Sequence, residues 1–82
     1  MQPTAPALPG PYTRLRTERF AQRVKELGLG TDLEVAERIG VSEATVNRAR
    51  NGQITPSARF IAACVSGLGV PFEYLFEIDG TS

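Results

Sequence analysis

Between Ile39 and Glu43 the chain reads Gly-Val-Ser, and these three residues constrain the fold more than any others. Gly40 suits the left-handed position just past a helix end, and Ser42 is a good N-cap for a new helix. One helix must therefore stop and another begin within three residues, so the two cannot run on as one rod. The same punctuation recurs along the chain. Gly28 and Gly30 precede the capping-box spacing of Thr31 and Glu34, Gly52 precedes Thr55-Pro56, and Gly69 precedes Pro71. These stops and starts predict helices over 13–27, 31–39, 42–51, 56–68 and 71–77. No segment reads as an alternating, half-buried strand, so the predicted class is all-α, five helices around one core.

The apolar pattern agrees. Phe20, Val24 and Leu27 recur at i, i+4 and i+7, and Phe60, Ile61, Cys64, Val65 and Leu68 make a broad face on the fourth helix. Gly67 within that helix signals either close packing or an early end. Leu15 falls off the stripe. Arg16, Arg19 and Arg23 form a neighbouring stripe, read as a solvated face or a contact surface. With 82 residues the chain has room for one domain, placed at 12–79. Residues 1–11 hold four of the six prolines and no charged side chain, which predicts a disordered arm, and residues 80–82 a disordered C-terminus. No secretory signal is read, and the apolar run 60–65 is far short of the ~20 residues of a membrane span. Cys64 is the single cysteine, so no disulfide or cysteine-based metal site forms within the chain. Basic and acidic residues number nine each, but bases gather at 14–25 and acids at 73–79, which predicts an electrically oriented molecule.

Two helices joined by a short glycine-containing turn form a helix-turn-helix, whose second helix can enter a DNA major groove. Small Ala36 allows a close crossing, and Val35, Ile39, Val41, Val46 and Ala49 are the expected inner contacts. At 100° per residue the outer side of the second helix then carries Ala44, Asn47, Arg48 and Asn51, with Glu43 at its edge. These spacings, within "TDLEVAERIGVSEATVNRARNG" and "TPSARFIAACVSGLGVPFEYLF", resemble the lambda-repressor-like, Cro and XRE type of helix-turn-helix domain. The resemblance covers about Leu15 to Phe76. It implies a compact five-helix bundle that binds double-stranded DNA sequence-specifically, usually as a dimer, to regulate transcription as phage or bacterial repressors do. It also implies that Glu43, Ala44, Asn47 and Arg48 face base edges, and that Thr31, Ser42, Thr45, Arg50 and Asn51 lie near the backbone. Three features depart from the family pattern. Asp32 stands where Gln is frequent, Arg50 stands where an acid usually precedes Asn-Gly, and the link from Gly28 to Gly30 differs in length.

The side chains suit that role chemically, though each has a plainer reading. Arg48 matches guanine O6 and N7 and Asn47 matches adenine N6 and N7, both in two-point pairs. Ala44 meets a thymine methyl or is simply a good helix former. Glu43 accepts from cytosine N4 or complements a helix start. Asn51 is a backbone contact or an ordinary helix ending. The chain has no histidine, no catalytic carboxylate pair in a recognisable motif and no phosphate-binding glycine loop, so it reads as no enzyme, with no cofactor, no metal and no small-molecule ligand. The competing reading is a protein-interaction module of the same fold, antitoxin-like or an accessory regulator, favoured by zero net charge and by Asp32. A homodimer is expected through Phe72, Tyr74, Leu75, Phe76 and Ile78, unless these residues only close a monomer's core. A cytoplasmic, nucleoid-associated location follows from that reading, with a double-stranded operator as partner and no membrane.

Overall fold

The computed structural model describes residues 12–79; the expected arm at 1–11 and tail at 80–82 lie outside them. In chain order the elements are strand β1 (Tyr12–Leu15), helices α1 (Thr17–Glu26), α2 (Asp32–Ile39), α3 (Glu43–Arg50), α4 (Ala58–Leu68) and α5 (Phe72–Leu75), and strand β2 (Phe76–Asp79). The five helices stand where the glycines and caps put them. Thr31 and Glu34 form the full capping box, Gly40 takes φ 81°, and Ser42 caps α3. The fourth helix starts later than predicted. Its cap is Ser57, whose hydroxyl accepts from the Phe60 amide at 3.1 Å, while Pro56 is buried ahead of it.

The all-α expectation needs one correction. Residues 12–15 do not extend the first helix, nor 76–77 the last; β1 and β2 pair antiparallel, with Thr13 opposite Ile78 and Leu15 opposite Phe76. The reason is burial. In a strand, alternate residues share a face, so Leu15 and Phe76 both turn into the core, where they are 6% and 1% exposed. Leu15, off the helical stripe, thereby acquires a role. The Arg16 amide then donates to the Leu75 carbonyl at 2.6 Å, joining hairpin to helices.

One core joins all these elements. Phe20, Val46, Cys64, Leu68, Leu75 and Phe76 are its largest fully buried side chains. Phe76 stacks on Phe72 at 5.3 Å and meets Phe60 edge-on at 6.4 Å. Burial pushes the Cys64 thiol up to about 12, so it sits in the core as a neutral, small apolar group. Gly67 serves close packing: a Cβ there would lie 2.8 Å from Ile39 Cγ2, so α4 crosses α2 almost backbone to side chain.

The arginine stripe is partly in solvent, but each of its members is tied to the domain. Arg23 Nε donates to the Leu68 carbonyl at 2.8 Å, and Arg38 Nε to the Gly67 carbonyl at 3.0 Å. Together they satisfy two of the orphan carbonyls at the negative end of α4. Arg19 lies 5.2 Å over the Tyr74 ring and donates to the Tyr74 carbonyl, while Arg16 pairs with Glu77 at 3.1 Å. Arg14 also pairs with Glu77. The basic segment and the acidic segment therefore lie side by side and offset each other locally. This corrects the expectation of a molecule with one basic and one acidic end.

Candidate nucleic-acid interface

The turn between α2 and α3 is built from the backbone upward. The Gly40 and Val41 amides both donate to the Ala36 carbonyl, at 2.8 and 3.1 Å, closing α2 with a left-handed residue. The Ser42 hydroxyl then accepts from the Thr45 amide at 3.1 Å and contacts the Thr45 hydroxyl at 2.8 Å. Val46 and Ala49 are completely buried, with Val35, Ala36 and Ile39 of α2 buried alongside them. That fixes the rotation of α3. Glu43, Ala44, Asn47, Arg48, Arg50 and Asn51 are all exposed, as is Ser42, while Thr45 is half-buried.

The exposed residues differ in what already holds them. Arg50 is not an idle cation. Its Nε and Nη2 donate to the two Asp32 carboxylate oxygens at 3.0 and 2.7 Å, a two-point pair between the start of α2 and the end of α3. The two residues that depart from the usual pattern, Asp32 in place of Gln and Arg50 in place of an acid, thus pair with each other. Arg50 holds the Asp32 carboxyl below its ordinary value of 3.8, against a smaller opposing effect of burial. Asn47 Nδ2 also donates to Asp32, at 3.3 Å, and Asn51 Nδ2 donates to Asn47 Oδ1 at 3.4 Å. Asp32, Asn47, Arg50 and Asn51 thus form one polar network.

Thr31 is likewise engaged. Its hydroxyl accepts from the Glu34 amide at 3.1 Å, and the Glu34 carboxylate accepts from the Gly30 and Thr31 amides at 2.5 and 3.2 Å. The amides that could have met a phosphate here already hold a carboxylate. Arg48 contrasts with these residues. Among the described residues, Arg48 and Arg59 make no hydrogen bond or ion pair, while the other arginines are tied to carboxylates or carbonyls.

Sequence reading missed Arg59. It stands at the first turn of α4, on a cleft of about 500 Å³ with Ser42, Thr45, Thr55 and Ser57. A run of hydroxyl residues next to an arginine, "TPSAR", was the available signal; it read only as a helix start. A second open cleft, of about 670 Å³, lies between α1, α2 and α3. Phe20, Val24, Val35 and Val46 floor it, and Lys25, Asp32, Glu43 and Arg50 rim it.

The five residues expected at a dimer contact part company. Leu75 and Phe76 are buried in the domain's own core, because the short α5 and the hairpin close its end. That corrects their assignment as partner-facing. Phe72 and Tyr74 are half-buried against the same core, and Ile78 is 55% exposed. No helix among the described residues is long and apolar enough to cross a membrane, and no cluster of metal-ligating side chains occurs among them.

A family model described as helix-turn-helix matches residues 22–75, about two thirds of the chain. No curated protein and no solved structure gave a match.

Proposed function

The chain belongs to the lambda-repressor-like, Cro-type helix-turn-helix family of DNA-binding regulatory domains, and from that premise we propose a repressor-like regulator that reads a double-stranded operator through the major groove. The observation that carries this reading is the outer face of α3. Arg48 stands there exposed and without a protein partner among the described residues, beside Ala44 and Asn47. Arginine left unpaired on a groove-facing helix is the commonest donor to guanine O6 and N7. Glu43 edges the same face, and Ser42, Thr45 and Asn51 flank it toward the phosphates. Arg59 joins them as a phosphate contact, since it is the other unpartnered arginine and sits among hydroxyls. Arg50 is assigned to Asp32 rather than to a phosphate. A dimer on a palindromic site, in the cytoplasm at the nucleoid, completes the proposal.

The protein-interaction alternative loses one of its two supports. Asp32 argued against a phosphate neighbour, yet its charge is met by Arg50 within the domain. The test is enrichment of duplexes from a random pool, followed by affinity against salt. Binding should fall steeply as salt rises, because phosphate contacts release counterions. Arg48→Ala should cost roughly 1–3 kcal/mol on the enriched site and relax preference at one base pair. Equal weakening on every sequence would demote Arg48 to a phosphate contact, and the absence of any salt-sensitive duplex binding would favour the interaction module.

A further inference from the structure

We infer that Asp32 sets base preference by holding the amide of Asn47 in its reading orientation, with Arg50 as the counterion that lets an acid stand beside the groove-facing helix. This rests on the DNA-reading role of α3. A side-chain amide has a fixed hydrogen-bonding capacity. Asn47 has two N–H donors and a carbonyl oxygen with two acceptor positions. One N–H is donated to Asp32 Oδ2, and the oxygen accepts from Asn51 Nδ2. One N–H and one acceptor position remain, which is what a two-point pair with adenine N7 and N6 consumes. The internal network therefore orients Asn47 without exhausting it.

The direction of orientation also follows. A carboxylate accepts and never donates, so it fixes the Asn47 nitrogen toward α2; a glutamine or asparagine in its place could turn either way. Adenine N7 needs a donor and N6 an acceptor, so inverting the amide would lose the pair. The carboxylate is itself held. Arg50 grips both of its oxygens, and the Asp32 side chain is only 19% exposed. Without that guanidinium an acid here would repel the phosphates that the helix must approach. The pairing of Asp32 on α2 with Arg50 on α3 thus yields a reader whose orienting group carries no uncompensated charge.

Three variants of the full chain separate orientation from charge and from folding. In enrichment from a random duplex pool, the wild type should select an adenine at one position of the site, and Asn47→Ala should lose it. Asp32→Ala should lose the same adenine preference, by about 5- to 150-fold, while keeping the base read by Arg48. Its affinity for unselected duplex should move the other way. Removing the acid releases Arg50, so non-specific binding rises and the salt slope steepens by about one. Asp32→Asn can present either end of its amide to Asn47, so it should lose part of the adenine preference, less than the alanine variant does, and it serves where the alanine variant folds poorly. Opposite movement of discrimination and affinity is an outcome that mere loosening of the fold does not give. An Asp32→Ala chain that keeps its adenine preference overturns the assignment of Asp32 while leaving DNA reading intact. A wild type that enriches no duplex removes the DNA reading and the inference with it. The side-chain amide resonances of Asn47, followed without DNA, give an independent check. They should shift in Asp32→Ala, and unchanged resonances would show that the two residues are not coupled.

Discussion

The carboxylate of Asp32 accepts from three donors, Nε and Nη2 of Arg50 and Nδ2 of Asn47, and each stabilises its charged form. Lys25 and Glu43 rim the same cleft, so the groups around it are of both signs. With the folded-state value held below 3.8, the carboxylate contributes stability at neutral pH, present above the unfolded value. That contribution is lost as pH falls through the lowered folded value. Melting temperatures of the wild type and of Asp32→Asn should therefore differ by a constant amount from neutral pH down to the unfolded carboxylate value of about 3.9, then converge below it. The gap should be a few degrees at most, since Arg50 is 48% exposed and solvent screens the pair. A gap that widens in acid would contradict the hydrogen-bonded geometry. The sequence showed that Asp32 and Arg50 each departed from the pattern. It could not show that the two departures answer each other, because they lie 18 residues apart and meet only when α3 packs on α2.

Elements were legible wherever their signals were local. Gly40 and Ser42, Thr31 and Glu34, and the apolar stripe from Phe60 to Leu68 each lie within a turn or two of helix, and each element formed around them. The hairpin was not legible because its partners stand more than sixty residues apart: Leu15 needs Phe76, and Arg14 needs Glu77. "FEID" does alternate apolar and polar, but four residues after a helix start read equally as its continuation. The register of α4 on α2 was half legible. Gly67 announced a close approach, while its target, Ile39, appears only in the structure. Gly67→Ala tests that approach. The substitution gains about 1 kcal/mol of helix propensity. Its Cβ would stand 2.8 Å from Ile39 Cγ2 and 3.0 Å from Ile39 Cα, the second of which belongs to backbone and cannot swing aside. Overpacking of that kind costs typically 1–3 kcal/mol, so a net loss of roughly 1 kcal/mol is expected in urea unfolding. A stabilised variant would mean that α2 and α4 stand further apart.

At the scale of the whole molecule, one recognition helix is too small a reader for the sites it must reject, and two-fold doubling is the usual remedy. The expected contact surface has to be redrawn around what the fold leaves outside. Leu75 and Phe76 are consumed by the core, but the hairpin they anchor runs beyond it. On the face shared by Leu15 and Phe76, the next cross-strand pair is Thr13 with Ile78, and Ile78 is 55% exposed. Tyr12 at the start of β1 is 47% exposed. Tyr12 turns to the opposite face of the ribbon with Arg14 and Glu77, so Ile78 is the apolar side chain expected to meet a second copy under isologous symmetry. Basic Arg14 and acidic Glu77 lie on the ribbon together, so two ribbons can meet without net repulsion. Ile78→Asp should leave the monomer's melting temperature nearly unchanged, because the side chain is mostly in water. It should weaken the dimer by about 30-fold if Ile78 is a hot spot worth about 2 kcal/mol. Thermal melting reads the first effect, and sedimentation of the free protein and of its complex on an enriched duplex reads the second. Half-sites should stand about one helical turn apart, ~10 base pairs centre to centre, with two protomers bound. A one-to-one complex on a non-repeated site at saturating protein, unaffected by Ile78→Asp, would assign the hairpin to closing a monomer.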